Sequence, residues 1–181
     1  NKIGYFSFTQ KAAYEARDRA MDKFNLSEDD LPYFRTLHSL AFRKLGIKKE
    51  NVMQRKHYVD LGNKINMRID YNEYDEEQTG IFTTHSDYLR VIQLAQLRGI
   101  TPEQQYNLRE HSQDLSVRDL KILDGELKAY KKQYGLIDFN DMITQFIKSD
   151  VCPKFDTVFI DEAQDLSRMQ WDMATALMFN A

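Results

Sequence analysis

The sequence predicts an α/β fold in which a parallel sheet is interrupted by a mostly helical insert. Two apolar runs carry that prediction, Ile3-Gly4-Tyr5-Phe6-Ser7-Phe8 and Thr157-Val158-Phe159-Ile160. Runs of this kind, short and without polar interruption, mark strands buried on both faces of a parallel sheet. Between Ile47 and about Lys132 strand signals fade, and apolar residues recur at helical spacing between capping residues. A layer whose chain leaves to build helices and then returns satisfies all three observations.

At 181 residues the length fits one domain carrying a sub-domain. Hydrophobic content of 42% supports a real core, and 29% charged residues is ordinary for a soluble protein. A single cysteine, Cys152, excludes an intrachain disulfide and points to a reducing compartment. No apolar run reaches the ~18 residues of a membrane span, and no signal-peptide pattern opens the chain. The expected setting is cytoplasmic, in a bacterial or phage-type intracellular context. His38, His57, His85 and His111 are too scattered for a zinc site. The chain opens at Asn1 directly in a strand and stops soon after a helix begins, as expected of a piece of a longer protein. Net charge is only −3, but residues 1–56 hold 12 Lys and Arg against 7 Asp and Glu. A basic N-terminal part suits a phosphate backbone, and equally a solvated helical surface.

In chain order, Thr9 or Ser7 can cap a helix from Lys11 to Phe24, with Ala12, Ala13, Ala16, Ala20, Met21 and Phe24 on one face. A polar connector runs from Asn25 to Pro32. Thr36 then caps a short helix that Gly46 ends. Asp70 to Glu77 is acidic and reads as an exposed loop. Ser86 and Gly99 bracket a helix. Thr101-Pro102-Glu103-Gln104 is a capping box with proline at the first helical position. Ser116 opens a longer helix ending near Tyr134-Gly135. Asp138 and Asp141 fall near the next helix start, where acids cap, and that helix runs to about Ser149. Pro153 precedes the second strand. Leu166 to Phe179 reads as the last helix, with Leu166, Met169, Met173 and Leu177 as its core stripe and Trp171 packing too.

Chemistry concentrates where the strands end. The second strand delivers Asp161 and Glu162, followed by Gln164 and Asp165. The carboxyl edge of a parallel sheet is where α/β proteins place ligands. One carboxylate there can hold a hydrated Mg²⁺ and the other can deprotonate an attacking water. Acids favoured by a helix N-terminus are the plainer alternative. The first strand ends in Phe8-Thr9-Gln10-Lys11, an aromatic, a hydroxyl and a lysine at a helix start. Such a turn can stack a base and bond phosphate, or Phe8 can simply close the core and Thr9 cap. His38, beside Thr36 and Ser39, can contact a nucleic-acid strand or serve as a hydrogen-bonded structural residue.

The order of these elements is specific. Ser7-Phe8-Thr9-Gln10-Lys11-Ala12-Ala13, Thr36-Leu37-His38-Ser39-Leu40-Ala41, Gly135-Leu136-Ile137-Asp138-Phe139-Asn140-Asp141-Met142 and Val158-Phe159-Ile160-Asp161-Glu162-Ala163-Gln164-Asp165 together resemble the UvrD/Rep/PcrA-like helicases of superfamily 1. The resemblance implies a partial RecA-like domain with motif Ia and the TLHS motif in 1–46, a helical 1B-like insert in 47–132, and a return to the RecA-like domain with Walker B in 133–181. It implies ATP and Mg²⁺ as cofactors. Asp161 would hold the metal, with Glu162 nearby and activating water. Gln164 would sense the terminal phosphate region, and Asp165 would support that network. Phe8, Thr9, Lys11, Thr36 and His38 would line the path of single-stranded DNA, with single-strand/duplex junctions as partners and 3′-to-5′ movement as the outcome. Gln10 stands where the family usually has Asn, and Leu37 where it often has Phe.

No GxxxxGK[ST] phosphate loop occurs in the 181 residues, so this piece by itself is expected to be inactive on ATP. Three other readings fit parts of the pattern. They are the motor of an AddA- or RecB-like helicase–nuclease, a non-catalytic DNA- or partner-binding module derived from the motor fold, and a Mg²⁺-dependent nuclease built on Asp161 and Glu162.

Overall fold

The computed structural model describes residues 2–69, 71–72, 83–84, 86–112 and 114–179, with the backbone alone at 71–72 and 83–84. Contacts divide the chain into two compact units. The first comprises Asn1–Ile47, Glu76–Gly80 and Asp141–Ala181; the second comprises Lys48–Asp75 and Ile81–Asn140.

The first unit is built on a parallel three-stranded sheet. Strand β1 (Ile3–Ser7) is central, with β2 (Phe34–Thr36) on one side and β5 (Thr157–Ile160) on the other. Helix α1 (Gln10–Phe24) follows β1. Thr9 caps it by accepting a hydrogen bond from Ala12 N at 3.2 Å, and Asn25 ends it in the left-handed region at φ 54°. Ser7 is not the cap: its Oγ is buried and has no hydrogen-bond partner among the described residues. Strand β2 is an addition to the sequence reading, which ran this stretch straight into a helix. Three residues carry too little pattern to be seen alone, and their partner, β1, is distant in sequence. Helix α2 (Leu37–Lys44) starts immediately after, with Thr36 Oγ1 accepting from Ser39 N at 3.1 Å. Leu37, Leu40 and Ala41 bury its inner face. Helix α7 (Phe139–Lys148) places Met142, Ile143 and Phe146 in the core of this unit. Helix α8 (Arg168–Phe179) buries Met169, Met173 and Leu177 as its spacing predicted.

Three burial expectations are corrected. β5 is not buried on both faces: Phe159 is 53% exposed, on an outer strand whose one neighbour among the described residues is β1 and whose outward face is left open. Phe24, at the end of α1, is 63% exposed, with the Lys23 ammonium over its ring. Trp171 is also exposed, since it faces away from the stripe of α8.

The second unit is mostly helical. It holds α3 (Arg55–Ile65), a two-stranded antiparallel ribbon of β3 (Tyr71–Asn72) and β4 (Thr83–Thr84), α4 (Asp87–Arg98), α5 (Pro102–Asn107) and α6 (Val117–Tyr134). The ribbon was not expected from the sequence. The acidic stretch read as a loop lies outside the described residues apart from Tyr71–Asn72. Ser86, Thr101 and Ser116 cap α4, α5 and α6, and Gly99 and Gly135 end α4 and α6. Leu61, Leu89, Ile92, Leu120, Leu123 and Leu127 form the centre of its core.

Two features of this unit carry measurable weight. Asp138, expected to serve as a helix-start acid, is buried and accepts from Lys131 Nζ at 2.7 Å. Gly62 sits in the last turn of α3, against the chain that leaves the helix: Met67 N donates to Gly62 O at 2.9 Å, and a Cβ at Gly62 would lie 2.5 Å from Met67 O. A backbone carbonyl cannot swing aside as a side chain can. Gly62→Ala is therefore expected to destabilise the protein by about 1–3 kcal/mol, read as a lower urea midpoint at unchanged slope. An unchanged or raised midpoint would contradict this packing.

Candidate functional site

Because the three strands of the first unit are parallel, all of them end at one edge. Ser7 of β1 is in register with Thr36 of β2, and Phe6 of β1 with Ile160 of β5. The residues that follow each strand therefore emerge side by side. Phe8, Thr9 and Lys11 come from the centre, Leu37 and His38 from one flank, and Asp161 and Glu162 from the other. Asp161 N continues the ladder by donating to Phe6 O at 2.8 Å.

On the β5 flank, Asp161 is half-buried and Glu162 is exposed. Glu162 adopts φ 50° and ψ 41°, in the left-handed region. Asn25 and Asn66, also left-handed, are helix-ending asparagines whose short side chains tolerate it. A glutamate gains no such local hydrogen bond, and conformations of this kind cost of order 1–3 kcal/mol and gather at functional sites. The turn is held by Asp165 N donating to Glu162 O at 2.9 Å, after which a single 3₁₀ turn spans Ala163–Asp165. The Gln164 side-chain amide donates to the Glu162 carboxylate. Glu162 and Gln164 are thus brought together, while Asp165 is exposed one turn on.

Tyr5 is a member of this site that the sequence reading missed. Its ring stacks on Phe34 at 5.2 Å between centroids, and it is in register with Phe159, two residues before Asp161. Burial first, and then a hydrogen bond to the Asp161 side chain, push the phenol up to about 12, so it remains a donor to that carboxylate. Strand alternation places Tyr5 and Asp161 on the same side once the register is known, but nothing local in the sequence sets that register.

The central and β2 segments are differently exposed. Lys11 is open to solvent and Phe8 is half-buried, while Thr9 Oγ1 is engaged as the α1 cap. Thr36 is buried and caps α2. His38 keeps some solvent contact, yet its surroundings are dense enough that burial pushes its imidazole down to about 4. It is neutral at physiological pH and brings no charge to this edge. The sign of its effect on stability follows: between its ordinary value of 6.5 and about 4 the unfolded chain binds a proton that the folded one refuses. Stability is expected to fall as pH drops through that window, and to lose this dependence below it. Denaturation midpoints of wild type and His38→Gln should converge as pH is lowered from 7.5 to 5; parallel curves would contradict the burial.

The donors at Asp161, Glu162 and Asp165 are all hard oxygens, which suit Mg²⁺ rather than a softer metal. Among the described residues no three His, Cys, Asp or Glu side chains converge as a metal cage. That arrangement fits Mg²⁺ taken up through one or two carboxylates with water and substrate phosphates, its usual mode.

The family model for the UvrD/REP helicase N-terminal domain matches residues 1–181. The chain belongs to that family. No curated protein matches it. The UvrD/REP assignment agrees with the fold: a parallel α/β sheet with its helices is a partial RecA-like arrangement. Among the described residues no helix is long and apolar enough to cross a membrane.

Proposed function

We propose that this UvrD/REP segment is part of an ATP-driven motor that moves 3′-to-5′ on single-stranded DNA and opens duplexes at single-strand/duplex junctions. The observation that carries the reading is the shared edge: a nucleotide-type carboxylate pair on one flank and an aromatic–hydroxyl–lysine turn beside it. Residues 1–46 and 133–181 would form the RecA-like part, and 47–132 its 1B-like insert. The protein would act in the cytoplasm, in replication, repair or recombination.

Asp161 would hold the Mg²⁺ of Mg-ATP, oriented by the Tyr5 phenol. The metal supplies charge neutralisation on the phosphates. Glu162, exposed and steadied by Gln164, would accept the proton of the attacking water. Gln164 touches Glu162 already, so a shift of its amide toward a terminal phosphate would report nucleotide state, and Asp165 would support that movement. On the adjoining strand, Phe8 would stack a base, with Thr9 and the α1 N-terminus bonding phosphate. Lys11 supplies the charge. Thr36 and the neutral His38 would shape the same path through contact and hydrogen bonding.

The 181-residue segment tests this directly. It is expected to bind a thymidine oligonucleotide with an affinity that falls with salt, and Lys11→Gln should reduce the log–log salt slope by about 1. It should not turn over ATP with or without DNA, since it contains no phosphate loop. Robust DNA-stimulated hydrolysis by the segment would overturn its expected inactivity on ATP, and an unchanged salt slope would overturn the DNA path past Lys11.

A further inference from the structure

Tyr5 lies on the central strand, β1, in register with Phe34 of β2 and Phe159 of β5. Strand residues alternate between faces, so Tyr5, Phe159 and Asp161 share one side of the sheet. The Tyr5 ring is held by Phe34, at 5.2 Å between centroids and 12° between planes, a near-parallel stack. Asp161 is held from the other direction, because its N donates to Phe6 O at 2.8 Å. Both ends of the contact are anchored, and the phenol meets the Asp161 carboxylate as a preset donor. Burial, the hydrogen bond and the carboxylate charges keep that phenol protonated, and the Arg19 charge opposes them without reversing the shift. A phenol has one hydrogen to give, so it engages one Asp161 oxygen and makes no claim on the other.

The number of free carboxylate oxygens matters differently to the two common hard cations. Mg²⁺ is small and demands near-octahedral geometry, which the narrow bite of a chelating carboxylate strains. Ca²⁺ is larger, tolerates irregular geometry and accepts a carboxylate through both oxygens. We propose that Tyr5 is a specificity-determining residue of the metal site: its hydroxyl occupies one Asp161 oxygen, so that the carboxylate serves Mg²⁺ through the other and is denied to Ca²⁺ as a chelating pair. The role of Tyr5 rests on the assignment of the metal to Asp161 made above. It is a positioning residue, acting through Asp161 and touching no reacting atom. Glu162 offers no substitute chelating pair without giving up the Gln164 amide that its carboxylate accepts from.

The test is competition for Mn²⁺ bound by the full-length protein with a non-hydrolysable ATP analogue, followed by electron paramagnetic resonance. Mg²⁺ and Ca²⁺ are titrated in turn, and the concentration of each that displaces half the Mn²⁺ is read. The nucleotide's own preference between the two ions is common to every variant, so the ratio of the two concentrations compares the proteins directly. Tyr5→Phe keeps the ring and its stack on Phe34 and removes only the hydroxyl. It should lower the ratio of the Ca²⁺ to the Mg²⁺ concentration about tenfold, the low end of what losing a hydrogen bond to a metal ligand does. A merely structural role would move both ions together and leave the ratio where it was. An unchanged or raised ratio in Tyr5→Phe would therefore overturn the role of Tyr5. Asp161→Asn separates the two proposals. If it weakens Mn²⁺ binding while Tyr5→Phe leaves the ratio unchanged, the metal is at Asp161 and the role of Tyr5 alone fails. If Asp161→Asn binds Mn²⁺ as wild type does, the metal assignment itself fails, and the role of Tyr5 with it.

Discussion

Glu162→Gln in the full-length protein is expected to lower kcat for DNA-stimulated ATP hydrolysis by about 10²–10⁴-fold, the range for loss of a general base. The substitution is close to isosteric, and position 162 is exposed. Gln can adopt the left-handed backbone at no more cost than Glu, so stability should change little. The Gln164 contact can persist through the amide oxygen of the new side chain. Affinities for ATP and single-stranded DNA should stay within about threefold, because a group that acts only as base contributes mainly in the transition state. A large loss of DNA binding would mean that residue 162 shapes the DNA path instead. Unchanged hydrolysis would refute its role as base.

The second large effect is on stability. Lys131→Met removes the cation facing Asp138, where the side chains are 8% and 10% exposed and the contact is 2.7 Å. Breaking a buried pair from one side typically costs about 3–5 kcal/mol, because the remaining charge loses water without keeping its counter-charge. Replacing both partners, Lys131→Met with Asp138→Leu, should recover most of that loss. Lys128–Asp124 is a useful contrast. It has nearly the same separation, 2.6 Å, but Lys128 is 64% exposed, so Lys128→Met should cost less than about 1 kcal/mol. Urea midpoints of the four proteins check the ordering. A Lys131→Met loss no larger than that of Lys128→Met would contradict the burial of the pair.

What the sequence made legible was what local chemistry controls. Ser86, Thr101 and Ser116 announced helix starts because their hydroxyls bond the backbone three residues on, and Gly99 and Gly135 announced ends because they take positive φ. The stripe Met169, Met173 and Leu177 was visible as spacing. The contiguous motif residues were visible as order along the chain. Relations between distant segments were not. β2 is three residues whose strand character comes from pairing with β1. Exposure of Phe159 depends on what covers its face of the sheet. Lys131 and Asp138 gave no sign of burying each other, since each alone reads as a surface charge at a helix terminus. In the site, the Asp161–Glu162 step could be read. The left-handed backbone of Glu162 and the approach of Tyr5 to Asp161 could not, since neither residue type signals them.

Mn²⁺ in place of Mg²⁺ measures most directly the proposed division of labour between the two carboxylates. Nucleotide-dependent Mn²⁺ binding to the full-length protein, followed by electron paramagnetic resonance, should be lost or weakened at least about tenfold by Asp161→Asn, the loss of one ligating carboxylate. It should persist in Glu162→Gln, whose hydrolysis should nonetheless fall by about 10²–10⁴-fold. Retention of Mn²⁺ in Asp161→Asn, or its loss in Glu162→Gln alone, would contradict the assignment of metal to Asp161 and water to Glu162.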